Sequence, residues 1–385
     1  MFLDQQNSVS IYIHWPFCVK KCPYCSFNSY PLVNFIDFDY WKNAYLLAIQ
    51  FYAEKYKDRT IKSIYFGGGS PSMLPNNFIG DLIKAMQNCW KFSKNVEITI
   101  EFRPDDVTEE KMNNLYESKV NRISIGAQSL NNECLEILRR RHNIETIFNA
   151  IEVSSKLFKN ISLDMIYAHP GHYSINIWEE ELKIAVKLNT QHLSLYQLIV
   201  DENTVFGSMQ RKGKLLLPDE DSCAEMFEIT QKITENEGFY AYEISNHAKK
   251  GYECVHNIRY WQYQDYIGIG PGAHGRIMFE GHKYAILEEK NPQKWVDFIS
   301  NEKRPLIEMD RLTLEEQTRE ILIVSLRTSK GLDCRKLPAL LEECVEMPKL
   351  KQLINEGYLE YKDNILRGTS EGRKVLNSLI LFLLK

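Results

Sequence analysis

Three cysteines near the start of the chain constrain this sequence more than any other feature. Cys18, Cys22 and Cys25 have the spacing C-x3-C-x2-C within residues 14–27. Iron–sulfur clusters are held by cysteine thiolates, and three thiolates leave one iron of a [4Fe–4S] cluster without a protein ligand. The spacing therefore favours a cluster whose open iron can bind a small molecule.

Zinc binding and free thiols remain alternatives for these cysteines. Structural zinc sites use four ligands, commonly as two cysteine pairs. Here Cys89 is far along the chain, and His14 would have to turn back across Pro16 to act as a fourth ligand. A disulfide scaffold is disfavoured because the N-terminus lacks the basic and apolar regions of a secretion signal.

The composition indicates two domains and no general affinity for nucleic acid. The chain has 385 residues, a formal net charge of −4 and nine cysteines. Domains usually have ~100–200 residues, and no apolar stretch approaches the ~20 residues of a spanning helix. We therefore predict a cytoplasmic protein in a reducing environment, and peripheral membrane contact stays open.

Strand-like and helix-like segments alternate over the first half of the chain. The predicted strands are Val9–His14, Lys62–Phe66, Val96–Phe102, Arg122–Ile125, Ile161–Tyr167 and His192–Leu198. The predicted helices are Phe38–Lys57, Asn77–Trp90, Thr108–Glu117, Ile144–Leu157 and Ile177–Leu188. This alternation predicts a parallel sheet curled into a full or partial barrel, with fewer repeats than the eight of a TIM barrel. Polar groups at the ends of its strands should converge on one mouth.

The second half of the chain has a different pattern. We predict a helix at Leu217–Glu237, a strand or hairpin arm at Tyr240–His247, and a tight backbone loop at Gly268–Gly275. From about Lys294 the chain reads as helical and charged. Its predicted elements are helices at Thr313–Arg327, Cys334–Cys344 and Pro348–Glu356, a hairpin at Tyr358–Arg367 turning at Asp363-Asn364, and a last helix from Glu371.

Helices with a hairpin suggest a winged-helix-like domain at the end of the chain. Acidic residues are interleaved with its basic ones, so we expect no nucleic-acid partner. The predicted divisions are a barrel at 1–240, a connecting region at 241–300 and the C-terminal domain at 301–385.

The segment Gly67–Ser70 follows the second predicted strand. Glycines permit positive φ and let a ligand approach the backbone, and carbonyls with the Ser70 hydroxyl suit an ammonium group. The Gly-Lys-Ser/Thr end of a phosphate loop is absent. A tight turn alone explains the glycines equally well, but their position one strand after the cysteines favours ligand binding.

Four polar residues at or near strand ends are further candidates. Glu101 and Gln128 suit ribose hydroxyls, although each alone is more often a solvated or strand-capping residue. Arg140 can pair with a carboxylate, and a solvated basic helix end is the alternative. Asp164 lies in an apolar strand, where an unpaired carboxylate is costly, which favours a role.

The segment His256-Asn-Ile-Arg-Tyr-Trp261 combines an imidazole with two large aromatic rings. Imidazole ligates heme iron, and aromatic rings pack on porphyrins. A histidine satisfied within the core is the alternative. His274, in the predicted loop, is a second candidate.

Together these motifs resemble the anaerobic coproporphyrinogen III oxidase-like radical SAM family, and within it the heme chaperone branch. The resemblance extends from Tyr12 to about Gly275. The matching segments are 11–18, 25–29, 66–71, 125–129, 163–167, 195–197 and 256–261. The resemblance implies an α/β fold, a partial (β/α)6 TIM-like barrel of the radical SAM type with a C-terminal helical, winged-helix-like HemN-type domain.

The resemblance also implies roles at the matching positions. The cluster ligands would be Cys18, Cys22 and Cys25. The site for S-adenosylmethionine (SAM) would be lined by Tyr12, Tyr24, Gly68, Gly69, Ser70, Glu101, Gln128, Arg140 and Asp164. The HNxxYW motif associated with heme would be His256, Asn257, Tyr260 and Trp261.

Two features separate the heme chaperone branch from the oxidase branch. The oxidases carry a further cysteine two residues after the third, where this chain has Phe27, and a long extension before the cluster. The resemblance therefore implies a chaperone that passes heme to an acceptor protein, which can be membrane-associated. SAM cleavage is compatible with it, and oxidation of coproporphyrinogen III is the disfavoured alternative.

Three residues depart from the family pattern. Arg103 stands where the family has Asn or Asp. His169 and His172 belong to the segment 168–172, which replaces the family's Gly-Leu-Pro-Gly-Gln. These histidines are either neutral variation or a change in the pocket beside SAM.

Overall fold

Parallel strands joined by helices build the first half of the chain, as predicted. The computed structural model describes residues 7–32, 35–171 and 173–385. The strands up to residue 197 are β1 (Ser8–Trp15), β2 (Phe17–Cys18), β3 (Tyr30–Pro31), β4 (Thr60–Gly68), β5 (Lys91–Phe102), β6 (Arg122–Gln128), β7 (Ile161–Tyr167) and β8 (His192–Gln197). The helices up to residue 236 are α1 (Phe38–Lys55), α2 (Asn76–Cys89), α3 (Glu109–Glu117), α4 (Asn132–Ile137), α5 (Ile144–Ser155), α6 (Ile175–Ala185), α7 (Val205–Arg211) and α8 (Glu220–Asn236).

The strands β1, β4, β5, β6, β7 and β8 pair in parallel and in that order. They are rich in buried Ile, Leu, Val and Phe, as expected of a sheet that is covered on both faces. The predicted partial barrel is therefore confirmed, and the carboxyl ends of its strands share one mouth.

The sheet continues on both sides of the barrel strands. The next elements are β9 (Tyr240–Ala241), β10 (Asn246–Ala248), α9 (Val255–Trp261), β11 (Tyr266–Ile269), β12 (His274–Phe279), β13 (His282–Glu288), α10 (Pro292–Glu302) and β14 (Ile307–Arg311). β11 pairs in parallel with β1, and β12, β13 and β14 follow as an antiparallel meander. The predicted strand or hairpin arm at Tyr240–His247 corresponds to β9 and β10, which pair with each other, and β10 also pairs with β8.

Two predictions hold only in part in this region. The segment Gly268–Gly275 is the end of β11, a turn and the start of β12, because glycines at 270 and 272 with φ of +126° and +74° make the turn that lets the strands pair. The stretch after Lys294 is not wholly helical. Residues 307–311 form strand β14, because their backbone completes the edge of the meander beside β13.

The C-terminal region contains helices and a small antiparallel sheet. Its elements are α11 (Leu314–Ser325), β15 (Leu332–Asp333), α12 (Leu341–Cys344), α13 (Met347–Asn355), β16 (Leu359–Lys362), β17 (Ile365–Gly368), α14 (Ser370–Lys374) and α15 (Leu376–Leu383). The hairpin turns at Asp363 and Asn364, both with positive φ, as predicted. The predicted helix Cys334–Cys344 is wrong. It splits into a 3-10 turn and α12 around Pro338, since proline removes a helical donor.

Two apolar cores underlie this arrangement. The larger runs through the barrel and the meander, and the smaller joins α11, α13, α15 and the hairpin. Polar contacts connect them. Arg276 of β12 contacts Glu320 of α11 at 2.8 Å, and Arg373 donates to the Glu243 carbonyl.

Candidate functional site

The cysteine loop begins at the carboxyl end of β1 and is held by its own backbone. Tyr30 N donates to the Pro16 carbonyl at 2.8 Å, which pairs β3 with β2. Lys21 Nζ donates to the Phe27 and Ser29 carbonyls at 3.2 and 2.9 Å. These bonds close the loop around the three cysteines without using their sulfurs.

Each of the three thiols has a polar neighbour. Cys25 Sγ lies 3.4 Å from Ser29 Oγ, and Arg140 Nη1 donates to Cys22 Sγ at 3.4 Å. Cys18 is buried, and its thiol contacts the Tyr30 carbonyl at 3.6 Å. Burial raises the pKa of the Cys18 thiol to about 11, and negative charge on Cys25 and Cys22 adds to the increase. The three sulfurs are thus close enough to interact electrostatically.

This donor set fits a cluster better than a single ion. In the part of the chain that the structure describes, no three His, Cys, Asp or Glu side chains converge as ligands of one ion. A [4Fe–4S] cluster takes each thiolate on a different iron, so its ligands need not converge. Arg140 places a cation beside the Cys22 sulfur.

The glycine turn after β4 is packed directly against the cysteine loop. A Cβ on Gly68, where φ is +109°, would lie 2.7 Å from the His14 ring, and one on Gly69 would lie 2.4 Å from the Phe17 carbonyl oxygen. Ser70 N donates to the Phe17 carbonyl at 2.8 Å. Only glycine fits these positions, so the turn supports the loop whatever ligand it contacts.

Tyr12 and Glu101 lie on the barrel interior beneath this turn. Tyr12 Oη is 3.1 Å from His14 Nδ1, and Tyr65 donates its hydroxyl to Glu101 at 3.0 Å. A Cβ on Gly67 would lie 3.1 Å from both Glu101 Oε1 and the Tyr12 ring. Burial raises the pKa of Glu101 to about 7, and the charge of Asp164 adds to the increase.

This raised pKa predicts a pH-dependent stability. A folded-state pKa of about 7 against an ordinary 4.5 means that the folded protein holds the Glu101 proton more tightly. The resulting stabilisation is complete at pH values below the pKa of Glu101 in the unfolded state. It is lost as the pH rises through the pKa of Glu101 in the folded state. In urea unfolding, we expect the free energy of unfolding to fall by about 1–3 kcal/mol between about pH 5 and about pH 8. This fall should be smaller in Glu101→Gln. An identical pH dependence in both proteins would contradict this.

Tyr24, Gln128 and Arg140 meet on the cluster side of the mouth. Arg140 Nη2 donates to the Gly126 carbonyl at 3.1 Å, and a Cβ on Gly126 would lie 2.9 Å from Gln128 Nε2. Burial raises the pKa of Tyr24, and the neighbouring Arg140 opposes this increase. Gln128 has a φ of +73° at a register shift that ends β6.

Asp164 lies deeper in the barrel than these residues. It accepts hydrogen bonds from Ser124 at 2.8 Å and from Ser162 at 3.0 Å. Burial raises its pKa, which the serine hydrogen bonds partly oppose. The structure thus gathers the predicted SAM residues around the barrel mouth and the interior below it.

The residues that depart from the family pattern have separate surroundings. Arg103 pairs with Asp105 and Asp106 at 2.9 and 3.0 Å. His169 is fully buried against the edge of Tyr173, and burial lowers its pKa to about 4, so it is neutral near pH 7. His172 lies outside the described residues.

The HNxxYW residues lie on α9 but point in different directions. His256 faces the barrel interior, where its Nδ1 is 3.1 Å from Ser63 Oγ and its ring packs on Tyr65. Burial lowers the pKa of His256 to about 3, with Arg259 and Arg122 adding to the decrease, so the imidazole is neutral. Asn257 approaches Tyr242.

The aromatic residues of this motif lie on the outer side of α9. Tyr260 is 42% exposed and packs edge-on against Trp261 and Tyr266. Trp261 lines a cavity of about 760 Å³ between α9, the β12–β13 hairpin and the C-terminal region. The helix therefore joins the barrel interior to this outer cavity.

Glu97 of β5 is a residue that sequence analysis missed. It is buried and accepts hydrogen bonds from the Val255 and His256 amides, both at 3.0 Å. No side chain from the residue before α9 caps that helix, so Glu97 replaces a local cap. An acidic residue inside the apolar strand 96–102 was the available signal.

No helix among the described residues is long and apolar enough to span a membrane. Comparison with known proteins matches residues 12–179 to the radical SAM superfamily and residues 312–375 to the HemN C-terminal domain. The chain is 33% identical to the heme chaperone HemW of Bacillus subtilis, covering 96% of this chain and 97% of the relative. It is 32% identical to the Escherichia coli heme chaperone HemW, covering 97% and 98%.

A more distant relative is the mitochondrial radical S-adenosyl methionine domain-containing protein 1 of Danio rerio, at 29% identity over 96% of this chain and 86% of the relative. Among solved structures, coproporphyrinogen III oxidase (HemN) from Escherichia coli superposes with a TM-score of 0.83 at 21% identity. That likeness covers 98% of this chain and 90% of that one, and it concerns the fold.

Proposed function

Because the chain belongs to the HemW family of radical SAM proteins, we propose that it is a heme chaperone. It would bind heme together with a SAM-liganded [4Fe–4S] cluster and pass the heme to an acceptor protein. The observation that carries this proposal is the similarity to heme chaperones over nearly the whole chain. The proposed location is cytoplasmic, with peripheral membrane contact where the acceptor is membrane-bound.

The proposed cofactor site uses the residues at the barrel mouth. Cys18, Cys22 and Cys25 would hold the cluster. When bound and reduced, such a cluster would supply the electron for cleavage of SAM. SAM would be held by Tyr12, Tyr24, Gly68, Gly69, Ser70, Glu101, Gln128, Arg140 and Asp164. Of these, Glu101 offers the carboxylate suited to ribose hydroxyls, and the Gly68–Ser70 backbone offers acceptors for the ammonium group.

The proposal is tested by titrating the full-length, anaerobically reconstituted protein with heme. We expect saturable binding of one heme per chain, followed by absorbance in the Soret region. Protein that carries its cluster and binds no heme would refute the chaperone proposal. Incubation with SAM and coproporphyrinogen III should yield no protoporphyrinogen, because Phe27, 63% exposed, stands where the oxidase branch has its extra cysteine.

In this proposal all four HNxxYW residues serve heme binding, and His256 acts as a positioning residue. Its contacts with Ser63 and Tyr65 fix α9 on the barrel, while Trp261 faces the outer cavity. Asn257 supports Tyr242, which also lines that cavity, and Tyr260 supports Trp261.

We expect His256→Ala to weaken heme binding by about threefold to tenfold, or ~1 kcal/mol, since one hydrogen bond is lost. His256→Asn should restore binding because its amide can still bond the Ser63 hydroxyl. The absorption spectrum of bound heme should be the same in both variants as in the wild type. A shifted Soret band in both, with no shift in the control His282→Asn, would show instead that His256 ligates the iron.

A further inference from the structure

A second cavity adjoins the outer one on the other side of α9. It has a volume of about 400 Å³, and its lining includes Lys62, Lys94 and Arg259. Gln262 and Gln264 line both cavities, so the two meet beyond the end of the helix. One α-helix thus separates two spaces of different chemical character.

The larger cavity has the size and lining of a site for a flat, mostly apolar ligand. Its volume of about 760 Å³ falls within the ~300–1,000 Å³ usual for small-molecule sites. Ile258 and Trp261 line it from α9, and Ile321 and Leu332 line it from the C-terminal region. An indole and branched aliphatic side chains can pack against a macrocycle.

The smaller cavity is cationic. Its described lining contains Lys62, Lys94 and Arg259 and no Asp or Glu. Arg259 is only 9% exposed, and its hydrogen-bond partners are two serine hydroxyls, Ser10 at 2.8 Å and Ser8 at 3.2 Å. No carboxylate forms an ion pair with it within the described residues.

The carboxylate whose charge acts on Arg259, that of Asp265, is already shared. Asp265 contacts Lys283 Nζ at 2.8 Å and Arg59 Nη1 at 3.3 Å. Three cations therefore face one buried carboxylate beside the junction of the cavities. A buried cation is costly without an anionic partner, so this excess of positive charge favours an anion supplied by a ligand.

We propose that heme binds in these joined cavities, with its macrocycle against Trp261 and its carboxylates at Lys62, Lys94 and Arg259. This inference rests on the proposed function and specifies the site. It separates the heme from the barrel mouth, because β4 and β5 contribute to this site through residues at their amino ends, away from the glycine turn.

The carboxylate contacts are tested with the full-length protein, hemin and hemin dimethyl ester, which lacks free carboxylates. The wild type should bind hemin about tenfold more tightly than the ester, since the ester cannot accept charge-assisted hydrogen bonds from these cations. Lys62→Gln with Lys94→Gln should reduce this preference severalfold by weakening hemin alone, with Arg259 left as the remaining cation. The matched control is Lys91→Gln, an exposed lysine of β5 outside both cavities, which should behave as the wild type.

The apolar wall is tested with Ser329→Trp. Ser329 is an exposed residue of the larger cavity, so an indole there should fill the space without disturbing the core. We expect it to reduce binding of hemin and ester alike by about tenfold or more, with an unchanged melting temperature.

The site is refuted if the wild type binds hemin but does not distinguish it from the ester. It is equally refuted if the double lysine variant retains the wild-type preference. Either outcome leaves the chaperone proposal intact, whereas a wild type that binds no hemin removes that proposal itself.

Discussion

Replacing Cys18, Cys22 or Cys25 by alanine is expected to abolish assembly of the iron–sulfur cluster. Fe–S clusters are held by cysteine thiolates, and the loop has no other sulfur to substitute for a lost ligand. After anaerobic reconstitution, iron content and the visible absorbance near 400 nm should fall by about tenfold or more in each variant. This is the largest effect we predict for a single substitution.

Cys89→Ala is the matched control for these variants. Cys89 is an exposed free cysteine at the end of α2, outside the cysteine loop. We expect it to bind iron as the wild type does. Wild-type iron content in any of the three loop variants would exclude that cysteine as a ligand, and a loss of iron in Cys89→Ala would point to non-specific binding.

Glu97→Ala is expected to destabilise the protein by about 3 kcal/mol, since removing one partner of a buried charge network leaves the other uncompensated. Glu97 accepts hydrogen bonds from the first two amides of α9 and lies beside the buried Arg122. Burial lowers the pKa of Arg122, but nearby groups that include Cys254 and Glu97 together raise it above its ordinary value. Unfolding in urea measures the loss.

The effect should be concentrated on α9. Hydrogen exchange of the Val255 and His256 amides should accelerate most, because both donate to Glu97. Heme binding should weaken as well if this helix forms the wall of the site. Glu97→Gln keeps one acceptor oxygen, so its stability should lie between that of Glu97→Ala and that of the wild type. Glu117→Ala, which removes an exposed carboxylate on α3 outside both cavities, is the control. Equal stability of Glu97→Ala and the wild type would contradict the assigned capping role.

The sequence was a good guide where local pattern and chemistry coincide. Alternating apolar strands and helices predicted the parallel barrel, and Asp363-Asn364 predicted the hairpin turn that both residues make with positive φ. The cysteine spacing predicted a cluster loop that follows β1 directly. These features depend on residues close in sequence, whose spacing alone fixes their geometry.

The meander after α9 was not predicted, and its first strand depends on a partner far away in the chain. β11 pairs with β1, more than 250 residues earlier, and only that pairing makes Tyr266–Ile269 a strand. Glu97 was missed for the same reason. Its partners on α9 follow it by about 160 positions, and no local pattern connects them.

The sequence by itself thus predicted the cysteine ligand set, and it determined the order of the barrel elements and the family resemblance. The tertiary structure alone decided that His256 faces the barrel while Trp261 faces the outer cavity. It also decided that Lys62, Lys94 and Arg259 share one cavity beside them. The physical reason is that a motif specifies which groups are present, whereas their direction and charge environment depend on chain segments that only folding brings together.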